Sequence, residues 1–322
     1  MADCLYIVIP CYNEEAVLKE TARRLKEKLD GLIGQGVVGR ESRVMFVNDG
    51  SRDNTWPIIQ ELHRQDRAFS GVNLSRNRGH QNALLAGLLT AVNFADVIVS
   101  MDADLQDDID AVDEMLRQWR AGYDIVYGVR SKREKDTFFK RFSAEGFYHL
   151  MKKLGVDIVF NHADYRLMSR RAVEGLSQFS EVNLFLRGIV PQIGYKWTTV
   201  EYERGERFAG ESKYPLKKML AFALDGITSF SVKPIRMVLT CGLILFLVGI
   251  GILIWALCVK LSGHSTAGWT SLMGSIWILG GIQMLSLGLI GEYVGKIYAE
   301  TKRRPRYIIE SVLNSAREEE RK

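Results

Sequence analysis

Five side chains that could share one task fall within the stretch MDADLQDD at 101–108: Asp102, Asp104, Gln106, Asp107 and Asp108. Carboxylates this close repel one another, and each resists ionising unless a cation neutralises them. Oxygen ligands on a loop suit a hard ion such as Mg2+ or Mn2+. The chemistry they suggest is a divalent ion holding a phosphorylated ligand. A solvated acidic loop capping the next helix, over 109–119, is the commoner meaning of an isolated Asp-x-Asp. The surrounding elements have to decide between the two.

An apolar run, Val97–Met101, leads into the acidic stretch and reads as a buried strand. Four similar strands are expected at Leu5–Ile9, Val44–Val47, Val72–Leu74 and Asp124–Gly128. A helix is expected from Cys11–Glu15 to about Leu32, with Glu14 and Glu15 in its first turn. Asn54 or Thr55 is expected to cap the next one. The alternation of strand and helix calls for a mainly parallel sheet covered on both faces. In such a sheet the strand ends share one edge, where ligands bind. The segments gathered there are Pro10–Glu14, Asn48–Asp53, Arg76–Asn77, Asp102–Asp108 and Arg130. There is no G-x-x-x-x-G-K-[ST] loop and no G-x-G-x-x-G after the first strand, which disfavours P-loop ATPases and dinucleotide-binding folds.

The sequence has 322 residues, 47% hydrophobic and 25% charged, so wholesale disorder is excluded. A net charge of +5 is too weak to imply nucleic acid. Cys4, Cys11, Cys241 and Cys258 form no C-x-x-C pair and are expected to be reduced and packed. MADCLYIVIP has no basic n-region, so no signal peptide is expected.

Met237–Val259 carries no Asp, Glu, Lys or Arg, and neither does Leu261–Gly291. The first run would make a helix of about 35 Å, enough for a hydrocarbon core of ~30 Å. Lys213, Lys217, Lys218, Lys233 and Arg236 precede the pair; Lys296, Lys302, Arg303, Arg304 and Arg306 follow it; the link holds only Lys260. That bias puts both ends in the cytoplasm. The expected organisation is a cytosolic domain over 1–232, a membrane hairpin over 233–295 with spans near 235–259 and 269–291, and a basic, charged tail over 296–322 that ends as a helix. Gly249, Gly251, Gly280, Gly281, Gly288 and Gly291 allow close helix contact within the pair or between subunits of a homo-oligomer. Two stretches, 137–154 and 214–231, are amphipathic; an interfacial position and a packed core face are both open to them.

Several blocks resemble the metal-dependent glycosyltransferases of family 2, whose nucleotide-sugar-binding domain has the GT-A fold. They are IVIPCYNEEAVL at 7–18, VNDGSRDNT at 47–55, LSRNRGHQNALLAGL at 74–88, DADLQ at 102–106, GVRSKR at 128–133, DYRLMSRRAV at 164–173 and GESKYPL at 210–216. With the two apolar helices behind them, they are similar to the polyprenyl-phosphate glycosyltransferases, the bactoprenol glucosyltransferases and dolichyl-phosphate mannose synthases among them. Asp107-Asp108 stands where many relatives have Pro-Pro, which shifts the helix start and leaves the ligands in place.

The resemblance implies a nucleotide-sugar site made by Pro10, Tyr12, Asn13, Glu14, Asp49, Arg76, Asn77 and Asp102. It implies that Asp102, Asp104 and Gln106 bind Mg2+ or Mn2+ and the diphosphate, and that Asp104, Arg130 and Asp164 serve the transfer. An acceptor phosphate is already a nucleophile and needs cations rather than a general base. Arg130, Arg141, Ser143, Arg207 and Lys213 are the candidates for it. Asp164 stands where other members place a base and is expected to orient the acceptor or the sugar. The loop 204–214 is expected to close over the donor.

The expected reaction is inverting transfer of a hexose to undecaprenyl phosphate at the cytoplasmic membrane. Glucose from UDP-glucose comes first, then N-acetylglucosamine, then mannose from GDP. A processive polysaccharide synthase would need more membrane helices and a Gln-x-x-Arg-Trp motif, which the sequence lacks. A membrane-tethered nucleotide-sugar sensor is the non-enzymatic alternative.

Overall fold

A computed structural model of the protein describes residues 2–130, 162–182, 184–203, 233–261 and 268–314. The chain divides into two compact units. The first is an eight-stranded sheet flanked by helices. Its elements are β1 Leu5–Cys11, α1 Leu18–Gly34, β2 Arg43–Asn48, α2 Thr55–Gln65, β3 Phe69–Leu74, α3 His80–Ala91, β4 Val97–Ser100, α4 Ala111–Arg120, β5 Ile125–Arg130, β6 His162–Ser169, α5 Arg170–Ser177, α6 Leu186–Gln192, β7 Trp197–Tyr202 and β8 Ile309–Leu313. The strand order is β7-β5-β6-β4-β1-β2-β3-β8.

All seven residues of β1 are buried, because the strand lies mid-sheet with β2 and β4 parallel on either side. This is why it reads as an unbroken apolar run. Leu18, Leu25, Leu29 and Leu32 of α1 pack with Ile7, Ile9, Val44 and Phe46 in the core on one side. On the other, a Cβ at Gly87 of α3 would stand 2.4 Å from Val8 and 2.6 Å from Val47, so glycine lets that helix press onto the sheet.

Two strands run against the rest. β6 lies antiparallel between β4 and β5, and β8 lies antiparallel to β3. Their first residues therefore reach the edge where the parallel strands finish. β6 delivers Asp164 there and β8 delivers Glu310. The expected charged helix in the tail is thus corrected over 309–313. IESVL pairs with β3 because β3 would otherwise leave a row of open hydrogen-bonding groups.

The first helix also differs from expectation, opening at Leu18 rather than within 11–15. Asn13 has φ +56, and the N–H groups of Asn13, Glu14 and Glu15 donate to Ser51 Oγ (3.0 Å), Thr55 Oγ1 (2.9 Å) and Asp53 Oδ2 (3.2 Å). These bonds tie the turn after β1 to the loop after β2 and hold it out of helix. Neither expected cap of α2 acts as one by its side chain; Asp53 Oδ1 instead accepts from the Thr55 N–H.

The second unit contains α7 Lys233–Leu261 and α8 Trp269–Thr301, which contact each other. Leu239, Leu243, Trp255, Met284, Leu285 and Leu287 are exposed along them. Ile278–Thr301 is long and apolar enough to cross a membrane. α8 runs ten residues past the expected end at 291, so the start of the expected tail is helical.

Candidate active site

The site is built from strand ends. The turn after β4 is fixed from three sides. Thr21 Oγ1 of α1 donates to the Ala103 carbonyl at 2.8 Å. Tyr165 Oη of β6 donates to the Asp108 carbonyl at 2.8 Å. Tyr202 Oη of β7 donates to Asp107 Oδ1 at 2.6 Å. Within the turn, Leu105 takes φ +57, and Asp104 Oδ1 accepts the Gln106 N–H at 3.2 Å. Asp107 is thereby spent on Tyr202, and Asp108 Oδ1 accepts the Asp110 N–H ahead of α4.

Asp102 stands opposite Asp164. His80, the first residue of α3, lies between them, its Nε2 3.5 Å from Asp102 Oδ1 and 3.7 Å from Asp164 Oδ2. Arg166 Nη2 donates to Asp164 Oδ1 at 2.6 Å, and Arg187 of α6 donates through Nε and Nη2 at 3.3 and 3.1 Å. Ser100 Oγ holds the Asp164 carbonyl at 2.6 Å, which fixes β6 against β4. Arg166 is 1% exposed, and its Nε and Nη1 meet no partner among the described residues.

The two carboxylates have opposite electrostatics. Burial pushes the Asp102 carboxyl up to about 6; His80 opposes this, while Asp107, Asp164 and Asp104 add to it. Because 39% of its side chain meets solvent, water in the cleft offsets part of that penalty. Burial also works against ionised Asp164, but Arg187, Arg166 and His80 outweigh it and hold that carboxyl well below the usual range. Burial raises Asp107 above its ordinary value against the hydrogen bond from Tyr202.

A second part of the edge forms a cleft of about 380 Å³ lined by Tyr12, Ser51, Trp56, Arg76, Asn77 and Glu310, among others. Gly50 makes it possible. Its φ is +63, and a Cβ there would fall 2.5 Å from the backbone of Arg76 and Asn77. Asp49 lies behind this wall, accepting from the Arg78 and Gly79 N–H groups at 2.7 and 2.9 Å. It shapes the loop that presents Arg76 and Asn77. Pro10 is buried in β1, paired with Val47, while Asn13 Oδ1 accepts the Arg52 N–H. Arg130 Nε donates to Tyr202 Oη at 3.4 Å, which sets it beside Asp107 and the acidic turn.

Tyr12, Arg76 and Asn77 thus share one cleft, while Asp102, Asp104, Arg130 and Asp164 gather at the neighbouring strand ends. Arg141, Ser143, Arg207 and Lys213 lie outside the described residues, as do the stretches 137–154 and 214–231 and the loop 204–214. Sequence reasoning missed His80, Arg166, Arg187 and Glu310. His80 sits inside the block LSRNRGHQNALLAGL and Arg166 inside DYRLMSRRAV, so those blocks were the available signal.

The profile of glycosyl transferase family 2 matches residues 6–176, and that of the GtrB C-terminal hairpin matches 233–297. The chain is 52% identical to the uncharacterized glycosyltransferase YkoT of Bacillus subtilis, over 95% of this chain and 91% of the relative. It is 40% identical to a prophage bactoprenol glucosyl transferase homolog of Escherichia coli, over 95% and 98%. It is 39% identical to the bactoprenol glucosyl transferase of Shigella phage SfV, over 95% and 97%. The hairpin match and the apolar helix at 278–301 support association with a membrane. A family profile covering strands β1 to β6 and the acidic turn, and relatives aligned along almost the full sequence, establish that the chain belongs to glycosyl transferase family 2 and is a glycosyltransferase with a GT-A-like α/β domain.

Proposed function

We propose that the protein transfers a hexose, glucose first, from a UDP-sugar to undecaprenyl phosphate, with inversion, at the cytoplasmic face of the membrane. One observation carries the reading: catalytic domain and hairpin align together with bactoprenol glucosyl transferases. The hairpin would span the bilayer and leave both termini in the cytoplasm.

The donor set fits a divalent cation. Among the described residues no cluster of three or more His, Cys, Asp or Glu surrounds an ion position. Mg2+ and Mn2+ sites on phosphorylated ligands commonly use one or two carboxylates, with phosphate oxygens and water filling the rest. Asp102 and Asp104 would supply those carboxylates, with Gln106 beside them. A bound cation would offset charge building on the departing nucleoside diphosphate.

The remaining work falls to the chain's own groups. Tyr12, Arg76 and Asn77 hold the nucleotide in its cleft. Arg130 draws the acceptor phosphate toward the acidic turn, where two anions must meet. Asp164 is held ionised by two arginines and is a poor proton acceptor, which suits a phosphate that arrives deprotonated. It orients the sugar or acceptor so that attack comes from the face opposite the diphosphate.

Incubating membranes with undecaprenyl phosphate, Mg2+ or Mn2+, and labelled UDP-glucose, UDP-N-acetylglucosamine or GDP-mannose tests this. The expected result is label from UDP-glucose in an organic-extractable product with inverted anomeric configuration. Labelled polymer, or nucleotide-sugar binding without any lipid product, would overturn it.

A further inference from the structure

The nucleotide cleft has a wall that comes from the far end of the chain. β8 pairs antiparallel with β3, matching Ile309 to Leu74, and the Ser75 N–H donates to the Ile308 carbonyl at 3.0 Å. Glu310 is thereby set at the cleft opening, on the same edge as Arg76 and Asn77. Its Oε2 accepts from Asn73 Nδ2 at 2.8 Å, and Asn73 Oδ1 accepts from Asn48 Nδ2 at 2.7 Å. Asn48 Oδ1 in turn accepts the Ser51 N–H at 3.3 Å. This chain of amides has one direction: every donor is turned toward Glu310, and the carboxylate ends it. Tyr12 and Trp56 supply aromatic surface in the same cleft.

Aromatic faces beside a hydrogen-bonding edge are how proteins hold an unpaired nucleobase. A carboxylate accepts hydrogen bonds and, ionised, donates none. It therefore favours a base whose ring nitrogen carries a hydrogen, such as uracil or guanine. Cytosine and adenine put a bare ring nitrogen at that position, and their exocyclic amine, from which a carboxylate can also accept, lies one position along the edge. We propose that Glu310, carried into the cleft by the strand after the hairpin, reads the base of the donor nucleotide and selects one with a ring N–H. This rests on the nucleotide-sugar reading above and adds its base-specificity element.

The substitution Glu310→Gln makes the test sharp. Its Oε1 can still accept from Asn73, while its NH2 now offers a donor to the base. Titration calorimetry on the full chain in detergent, with Mg2+ present, compares UDP with CDP. Ribose, diphosphate and ring size are the same in both. The wild-type protein is expected to prefer UDP by about tenfold or more, because a polar group facing the wrong partner is left unpaired. In Glu310→Gln that preference should fall at least about fivefold or reverse, and in Glu310→Ala it should shrink with both nucleotides weakened. If GDP proves the tighter ligand, GDP against ADP carries the same comparison. A UDP-to-CDP ratio unchanged in both variants would overturn the assignment, even if both bind more weakly, since that is the mark of a structural role. Failure of wild-type protein to bind any nucleoside diphosphate would instead defeat the functional reading itself.

Discussion

Asp102 and Asp164 face the same histidine from opposite sides, yet their surroundings push them in opposite directions. Asp102 follows a parallel strand and lies among three other carboxylates, with the His80 imidazole beside it. Asp164 starts an antiparallel strand and has already been neutralised by Arg166 and Arg187. One carboxylate is left short of positive charge and the other is fully supplied. The fold completes one half of the site by itself, and on the proposed function the other half would be completed by a bound divalent cation.

The same chemical change should therefore have opposite consequences at the two positions. Asp164→Asn strips a buried arginine of its partner and should cost about 3 kcal/mol of stability, seen in denaturant or thermal unfolding. Little or no loss would break the comparison. The pH dependence follows the same division. A proton on Asp102 competes with the cation, so cation affinity should fall about tenfold per pH unit below roughly pH 6. Asp164 should contribute nothing to that slope. Its folded value lies below the ordinary one, so its stabilising effect persists above the usual carboxylate range and is lost only in strong acid. Titration of cation binding against pH would show either a slope near one or none.

The smallest effect is the most pointed. Asp102 has a folded value above its ordinary one, so the stability cost of its ionisation is absent well below the ordinary value, builds as the pH rises from there, and is complete once the pH passes about 6. At neutral pH with chelator present, Asp102→Asn should therefore stabilise the protein, by about 1 kcal/mol or less given the solvent around it. Destabilisation by that variant would contradict the picture of an uncompensated acidic turn.

Much of this was legible in the sequence. Apolar strands ending in Asn48-Asp49-Gly50 and Met101-Asp102 announced both the sheet and its working edge, because a buried parallel strand must be apolar until it reaches solvent. The pairings across the edge were not. His80 meets Asp164, 84 positions further along the chain, and only an antiparallel β6 brings them together. Glu310 was hidden for a different reason. IESVL is a five-residue strand between KRRPR and a charged C-terminus, so local composition pointed to helix while β3's open edge dictated strand. The acidic residues Glu14 and Glu15 suit a first helical turn, yet the stretch 11–15 forms none. Its N–H groups had partners on a loop some 40 residues away.

The central claim is that the acidic turn works only with a bound divalent cation. The direct measurement is transfer of labelled glucose to undecaprenyl phosphate by wild-type protein and by Asp104→Ala, each with Mg2+ or Mn2+ and with excess chelator. Wild-type transfer should fall about a thousandfold in chelator, and Asp104→Ala should be equally slow in either condition. Full-speed transfer in chelator, or by Asp104→Ala, would contradict it.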